Sequence, residues 1–344
     1  MIHMRVLVLY NELVLPQSHP DADSEHEILH TRDIVSEELK HAGYQVVHLG
    51  VGRDPYIMLA GIRKLRPDVV FNLFEGLADQ EANTEAIVAG MLDWLGIPYT
   101  GCPAQALFVA RSKPLTKNLL RGAGLPTPEF LVVEDMPIAE CPLAWPVIVK
   151  PAFQDASVGL DQGSVVTDQF SLSERVAYLL DKFGPPVMIE EFVRGRELNV
   201  ALIETPDLHA LPISEILFTD EDPNYWPIVT YDAKWKPGSR DYESTPPRYP
   251  ANVSPGLAAR LTKLAKRAFH LLACRDYARV DFRVRSPLKP YILEVNPNPD
   301  YSPTAGLSGG LTCAGITHAQ FTVELVQAAF ARGPRLEREI VLSS

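Results

Sequence analysis

Three oxygen-bearing side chains late in the chain have the types and spacing to hold a divalent cation. Asp281 lies in Ala278-Arg279-Val280-Asp281-Phe282-Arg283-Val284, where apolar and charged residues alternate with the period of two expected of a half-buried strand. Arg279 and Asp281 therefore share a face. Glu294 and Asn296 share a face of the next strand, Tyr291-Ile292-Leu293-Glu294-Val295-Asn296, with Leu293 and Val295 on the other. If Pro287-Leu288-Lys289-Pro290 is a hairpin loop, Asp281, Glu294 and Asn296 surround one small space. Such an oxygen-only set suits hard Mg²⁺ held against phosphate oxygens. Each residue alone reads more simply as a solvated strand end or turn cap. Together, carboxylates in strands that look buried demand a counter-charge, because an unpaired buried carboxylate is costly.

Two lysines have settings that suit phosphate. Lys150 closes the apolar run Val147-Ile148-Val149 and precedes Pro151, whereas Lys113 begins a helix after the N-cap Ser112, with Pro114 in its first turn. A lysine ending a buried strand needs an anion. Snorkelling to the surface is the competing reading, stronger for Lys113 than for Lys150. Gln154 to Ser164 form a small-residue loop through Ser157 and Gly159 that lets backbone N–H groups approach phosphates, although it lacks the Gly-Lys-Ser/Thr of a Walker A loop. Glu190 and Glu191 leave the run Val187-Met188-Ile189, and Glu197 opens a second run that reads as an adjacent strand joined at Gly195. Consecutive acids there suit an adenine amino group and ribose hydroxyls, and equally a surface hairpin. Residues 220–253, rich in Pro, Tyr, Trp and Asp, show no periodicity and read as a long loop over a site around Lys234-Trp235-Lys236.

The elements that must position these residues begin with strand 5–10, helix near 25–42, strand 44–49, helix near 55–66, strand 68–74 and helix near 84–95. Ile28, Val35, Leu39 and Ala42 make one helix face with Gly43 as C-cap, and Met58, Ile62 and Leu65 make another that Pro67 ends. This alternation predicts an α/β fold whose parallel sheet is covered by helices. Ligands of such folds bind beyond the strands' C-terminal ends, which places Glu25 and Phe74-Glu75-Gly76 at the site. No Gly-rich fingerprint follows Tyr10, which argues against NAD. Later helices are expected over 255–273, with Leu257, Leu261, Leu264, Ala268 and Leu272 on one stripe, and near 316–332.

The 344 residues are 46% hydrophobic, enough for a large core and two or three domains. A net charge of -11 and the lack of a basic run argue against a nucleic-acid partner. Cys102, Cys141, Cys274 and Cys313 show no metal-ligand spacing and read as buried thiols in a reducing compartment. Without a signal-peptide pattern or a membrane-length apolar run, a soluble, cytoplasmic protein is expected.

In their shared order these motifs resemble the ATP-grasp superfamily, most closely its D-alanine–D-alanine ligase family, over nearly the whole chain. The resemblance rests on Gly96-Ile97-Pro98-Tyr99-Thr100-Gly101, Lys113 with Gly122-Ala123-Gly124-Leu125-Pro126, Ile148-Val149-Lys150-Pro151, Ser157-Val158-Gly159, Glu190 to Glu197, Arg279-Val280-Asp281 and Leu293-Glu294-Val295-Asn296. It implies an ATP-grasp fold preceded by a Rossmann-like parallel α/β domain, with boundaries at 1–105, 106–187 and 188–344. It also implies that Lys113 and Lys150 hold ATP phosphates, and that Glu190, the backbone of Glu191 and Val193, and Glu197 take adenine and ribose. Asp281, Glu294 and Asn296 would carry two Mg²⁺ ions, with Mn²⁺ as a possible substitute and Glu294 bridging both. The family's reaction is phosphoryl transfer to a carboxylate, giving an acyl phosphate that an amine attacks; Arg279 would stabilise the oxyanion. Small amino-acid or amine substrates follow, and a homodimer is suggested by the family alone.

The departures fall on the amino-acid side. Glu25 and Lys234 match family residues, yet Ala156 stands where the family has a Ser and Trp235 where it has a Tyr. Glu75 replaces a His near the first substrate's carboxylate, where a carboxylate would repel it. Asp300 falls near the family's oxyanion-hole Gly, and Ala305 near the Ser that holds the second substrate, a role Ser302 or Thr304 could take over. The expectation is an intact ATP half, a changed amino-acid half and an ATP-dependent carboxylate–amine ligase. Authentic D-alanine–D-alanine ligation is opposed by Glu75, Ala156 and Trp235. A nucleotide-binding regulator without turnover is opposed by Arg279, Asp281, Glu294 and Asn296.

Overall fold

The computed structural model describes residues 4–13, 22–77, 83–286 and 289–333, with side chains from residue 27 onward in the second stretch. Strand β1 (Arg5–Asn11), helix α1 (Ala22–His41), β2 (Gln45–Val51), α2 (Pro55–Leu65), β3 (Val69–Asn72) and α3 (Thr84–Leu95) follow the alternation read from the sequence. The strands form a parallel sheet in the order β2-β1-β3. Its two faces have different covers. Val6, Val8 and Phe71 pack among residues of α1 and of the last helix, while Leu7, Leu9 and Val70 pack with Met58, Ile62, Ala89 and Leu92 from α2 and α3. Met58, Ile62, Ile28, Val35 and Leu39 are buried as their spacing predicts, but Ala42 lies past the end of α1 and is exposed.

Helices α4 (Ala104–Arg111) and α5 (Lys113–Gly122) lead to a second, antiparallel sheet of β4 (Phe130–Val133), β5 (Val147–Pro151), β6 (Val165–Val166) and β7 (Val187–Glu191), ordered β4-β7-β5-β6 with α6 (Gln169–Phe183) against it. Ser112 caps α5 by accepting from the Leu115 N–H at 3.4 Å, with Pro114 in the first turn. The third sheet holds β8 (Arg196–Glu204), β9 (Leu208–Ala210), β10 (Ser214–Ile216), β11 (Pro247–Arg248), β12 (Tyr277–Val284) and β13 (Pro290–Asn296). Its path is β11-β10-β8-β12-β13, with β9 on β8. Helices α7 (Tyr231–Trp235), α8 (Arg240–Glu243), α9 (Pro255–Leu271), α10 (Gly306–Cys313) and α11 (His318–Arg332) complete the chain.

Four expectations are corrected. Strands β7 and β8 are consecutive but belong to different sheets. Gly195 between them has φ +150, and a Cβ there would lie 2.2 Å from the Val284 carbonyl oxygen, so the chain crosses over against β12 instead of folding back. Strand β12 is buried on both faces, not one: β8 and β13 flank it, the core covers one side and the walls of a cavity shield the other. The 220–253 segment is not a plain loop, since α7, α8 and β11 lie within it, each helix capped by a hydroxyl, Thr230 or Ser239. Cys102, Cys141 and Cys274 are buried, but Cys313 is exposed on α10.

Candidate active site

The antiparallel pairing of β12 and β13 sets Asp281 opposite Glu294 and Arg279 opposite Asn296, with an irregularity in register just after Asp281. The hairpin thus gathers the expected oxygen ligands, although residues 287 and 288 of its loop lie outside the described residues. Arg279 grips Asp281 with a two-pronged fork, both bonds 2.7 Å. Asn199 on β8, the register partner of Asp281 on its other side, donates its Nδ2 to Asp281 Oδ1 at 2.8 Å. The Asn296 Oδ1 accepts from the Asn298 N–H at 2.9 Å, and Asn298 Nδ2 donates to Glu85 on α3 at 2.6 Å, which ties the hairpin to the first sheet's helices.

Charge balance is tight here. Burial would raise Glu294, but Lys234, Lys113, Arg279 and Lys150 together pull it down to about 2. Glu294 is thus an anion under all ordinary conditions. Burial drives Asp281 upward, with Arg279 opposing and Glu294 adding to the rise. A metal ion would add to the positive charge that Lys234, Lys113, Arg279 and Lys150 already set around the pair. Among the described residues no three His, Cys, Asp or Glu side chains group as a closed metal cage. Two carboxylates with amide oxygens fit an ion that keeps other oxygen ligands, as Mg²⁺ does beside phosphates.

Opposite the hairpin stand the lysines. Lys150, next to last in β5, reaches Glu190 on the neighbouring β7 at 2.7 Å. Lys117, one helical turn beyond Lys113 on α5, bonds the other oxygen of Glu190 at 2.9 Å and Thr127 at 2.8 Å. Lys117 and Glu190 are each 1% exposed. Burial would raise Glu190, but Lys117 and Lys150 bring it below its ordinary value. Burial lowers Lys117 to about 8, with Glu190 opposing. Glu190 is therefore held between two lysines. Lys113 donates to the Gln154 carbonyl and lies 3.8 Å from Asp155; burial lowers its ammonium below the usual value.

Both groups open on one cavity of about 530 Å³. Lys113, Lys150, Ser157, Glu190, Glu191, Val193, Glu197, Lys234, Arg279, Asp281, Glu294, Ala156 and Thr304 all line it. Glu197 on β8 pairs with Arg283 at 2.8 Å; burial raises its carboxyl and Arg283 opposes. Glu191 accepts from the Ala144 N–H at 3.1 Å. Ser157, at φ +62, donates to the Val229 carbonyl at 2.9 Å and so fastens the small-residue loop to the α7 segment.

The remaining substrate-side residues stand apart. Trp235 does not border the cavity; its indole N–H donates to the Ala156 carbonyl at 3.2 Å, so the two departures touch each other. Ser302 is buried, its hydroxyl committed to Asp300 at 3.2 Å and its N–H to the same carboxylate at 2.8 Å. Thr304 borders the cavity, and Ala305 is the N-cap of α10 without a side-chain capping bond. Glu75, just past β3, is open to water yet deep among protein atoms; its burial, with Asp300 and Glu27 beside it, pushes it up to about 8. The Glu25 side chain lies outside the described residues, on the first turn of α1. Lys117 and Asn199 escaped the sequence reading. Each had a trace there, Lys117 four residues after Lys113 on one helix face and Asn199 two after Glu197 on one strand face.

The sequence profile described as D-ala D-ala ligase C-terminus matches residues 119–327. A D-alanine–D-alanine ligase of Moorella thermoacetica is 31% identical over 89% of this chain and 96% of its own. The chain belongs to the D-alanine–D-alanine ligase family. Membership makes it an ATP-dependent, ADP-forming carbon–nitrogen ligase of the ATP-grasp type. This ligase is also 30% identical, over 77% of its chain and 75% of the relative's, to an uncharacterized protein, y4sG, of Sinorhizobium fredii. The crystal structure of a D-alanine–D-alanine ligase from Bacillus anthracis complexed with ATP superposes with a TM-score of 0.74 at 21% identity, covering 95% of this chain and 98% of that one. That likeness speaks for the fold. Among the described residues no helix is long and apolar enough to cross a membrane.

Proposed function

We propose that this ligase activates the carboxylate of a small amino-acid-like substrate as an acyl phosphate and joins it to an amine, with an amino-acid site that differs from that of a D-alanine ligase. The observation that carries the reading is the Asp281–Glu294 pair facing Lys113 and Lys150 across one cavity. Lys113 and Lys150 hold the ATP phosphates, while Glu191, Val193 and Glu197 meet adenine and ribose. Glu190 acts through Lys150, which it orients from the buried side. Asp281, Glu294 and Asn296 would hold the two Mg²⁺ ions of the family reading, replaceable by Mn²⁺. When bound, the metal neutralises phosphate charge during transfer. Arg279, steadied by Asp281, stabilises the oxyanion formed when the amine adds. Lys234, exposed at the cavity wall, adds positive charge on the same side.

On the substrate side, Glu25 receives the amino group of the first substrate, and Thr304 takes the hydroxyl role in place of Ala305, since Ser302 is committed to Asp300. Ala156 forms part of the wall, and Trp235 holds it from outside the cavity through its backbone carbonyl. Glu75 stands where the family keeps a His, and once it loses its proton, near pH 8, it disfavours a substrate carboxylate there. The parallel sheet forms the first domain, to about residue 105. The middle unit runs from 106 and includes β7, which pairs with β4 and β5, and the remainder carries the metal-binding hairpin. A cytoplasmic location and a homodimer complete the reading.

The test is ADP and phosphate release from Mg·ATP with single and paired D- and L-amino acids and small amines, followed by mass spectrometry. The expected result is release that requires an added acid and yields an amide of that acid. Release without an amide product, or none with any pair, would contradict the reading.

A further inference from the structure

Strand β8 runs between β10 and β12 and sets Asn199 directly opposite Asp281. Asn199 is 8% exposed and borders the cavity. Its amide is fixed in orientation: Asp281 Oδ1 sits 2.8 Å away and an ionised carboxylate only accepts, so the amide must present Nδ2 to it. The Asn199 Oδ1 is then turned away from Asp281, and it is buried with no hydrogen-bond donor among the described residues. A buried carbonyl oxygen without a partner is uncommon, because its lost hydration goes uncompensated.

Three kinds of partner would satisfy it, a water, a ribose hydroxyl or a metal ion. Position favours the metal. The amide is bonded to the carboxylate that would hold the ion, on the strand next to the Asp281–Glu294 pair. Glu197, two residues earlier on the same face, is better placed as the ribose acceptor, since its register partner is Arg283, two residues along β12 from Asp281. Magnesium asks for six oxygens in a nearly octahedral shell. A neutral amide oxygen adds a ligand without adding negative charge, so the ion keeps its full pull on phosphate.

We propose that the side-chain oxygen of Asn199 is a further ligand of the Mg²⁺ ion held by Asp281 and Glu294. The assignment rests on the cation site proposed above and adds one residue to it.

The experiment titrates the full chain with Mn²⁺ by electron paramagnetic resonance in the presence of a non-hydrolysable ATP analogue, and measures ADP binding separately in EDTA. Asn199→Ala weakens Mn²⁺ binding about 10-fold, the scale of losing a group from a metal shell, and leaves metal-free ADP binding unchanged. Equal Mn²⁺ affinity in wild type and variant overturns the assignment. A fall in metal-free ADP affinity with unchanged Mn²⁺ affinity also overturns it and gives the oxygen to ribose. Glu294→Gln separates the two levels. If it too leaves Mn²⁺ binding unchanged, the cation site itself falls, whereas if it alone weakens binding only Asn199 loses its role. A second variant guards against misfolding of the first. Asn199→Asp places two carboxylates side by side, and Mg²⁺ should raise its melting temperature more than that of wild type; an equal or smaller rise overturns the proposal.

Discussion

At the lysine end of the cavity Lys117, Glu190 and Lys150 hold one another at 2.7 and 2.9 Å, whereas around Glu75 the nearest charges are two more acids, Asp300 and Glu27. The first group is closed. Each charge has its opposite on a neighbouring strand or helix, and burial by itself therefore does not neutralise it. The second group has no opposite charge within it: burial first, and then Asp300 and Glu27, push Glu75 up to about 8, and burial with Asp300 raises Glu27 as well. The contrast separates machinery that serves any substrate, the nucleotide and metal side, from a surface that decides which substrate is admitted.

Breaking the closed group should have the largest effect. Lys117→Met leaves Glu190 buried with Lys150 alone and is expected to lower unfolding free energy by about 3–5 kcal/mol, read by urea denaturation. A loss below 1 kcal/mol would mean that the buried pair is dispensable. Next come the hairpin carboxylates. Asp281→Asn or Glu294→Gln should reduce turnover at least ~10²-fold, and near-normal rates in both would remove them from the metal site.

The open group is sharpened by pH. Glu75 holds its proton up to about 8, so between pH 7 and 9 it gains a negative charge. The KM of a carboxylate-bearing substrate should rise several-fold across that interval and stay level in Glu75→Gln; parallel profiles would show that Glu75 does not face substrate. The same shift has a stability sign. The folded chain keeps this proton while the unfolded chain releases it near 4.5, so stability falls as pH rises from 4.5 to 8, damped by the water that reaches Glu75. The smallest effect is expected from Ala156→Ser with Trp235→Tyr, a several-fold shift of preference toward D-alanine. An unchanged profile would mean that the contact between the two residues does not shape the pocket.

The sequence carried the local rules well and the long-range pairings poorly. Alternation in 278–284 and 291–296 put Arg279 with Asp281 and Glu294 with Asn296 on shared faces, and a hairpin brought the two strands together, whereas the pairing of Asp281 with Glu294 is set by the register. The alternating strands and helices of the first hundred residues likewise declared a parallel sheet. The tie of Lys117 to Glu190 spans 73 residues and arises only when α5 lies along the second sheet, so neither residue's neighbours betray it. Gly195 hid a change of sheet, since an apolar run reads the same in either. Helix α10 went unnoticed because its Gly-rich turn, Gly306-Leu307-Ser308-Gly309-Gly310, has low helix propensity; packing of Leu307 and Leu311 holds it. Ala156 and Trp235 were singled out as departures, yet only the fold shows that they meet, through a backbone carbonyl that no side-chain pattern reveals.

The most direct measurement is the kcat/KM for ADP formation with D-alanine set beside the same constant for other amino acids and small amines, at fixed Mg·ATP. An intact nucleotide side with a remodelled substrate side predicts at least ~10-fold higher efficiency with another substrate pair, on the scale of one or two altered pocket contacts. D-alanine as the best substrate, with its dipeptide as product, would contradict the account and make Glu75, Ala156 and Trp235 tolerated variations of an ordinary D-alanine site.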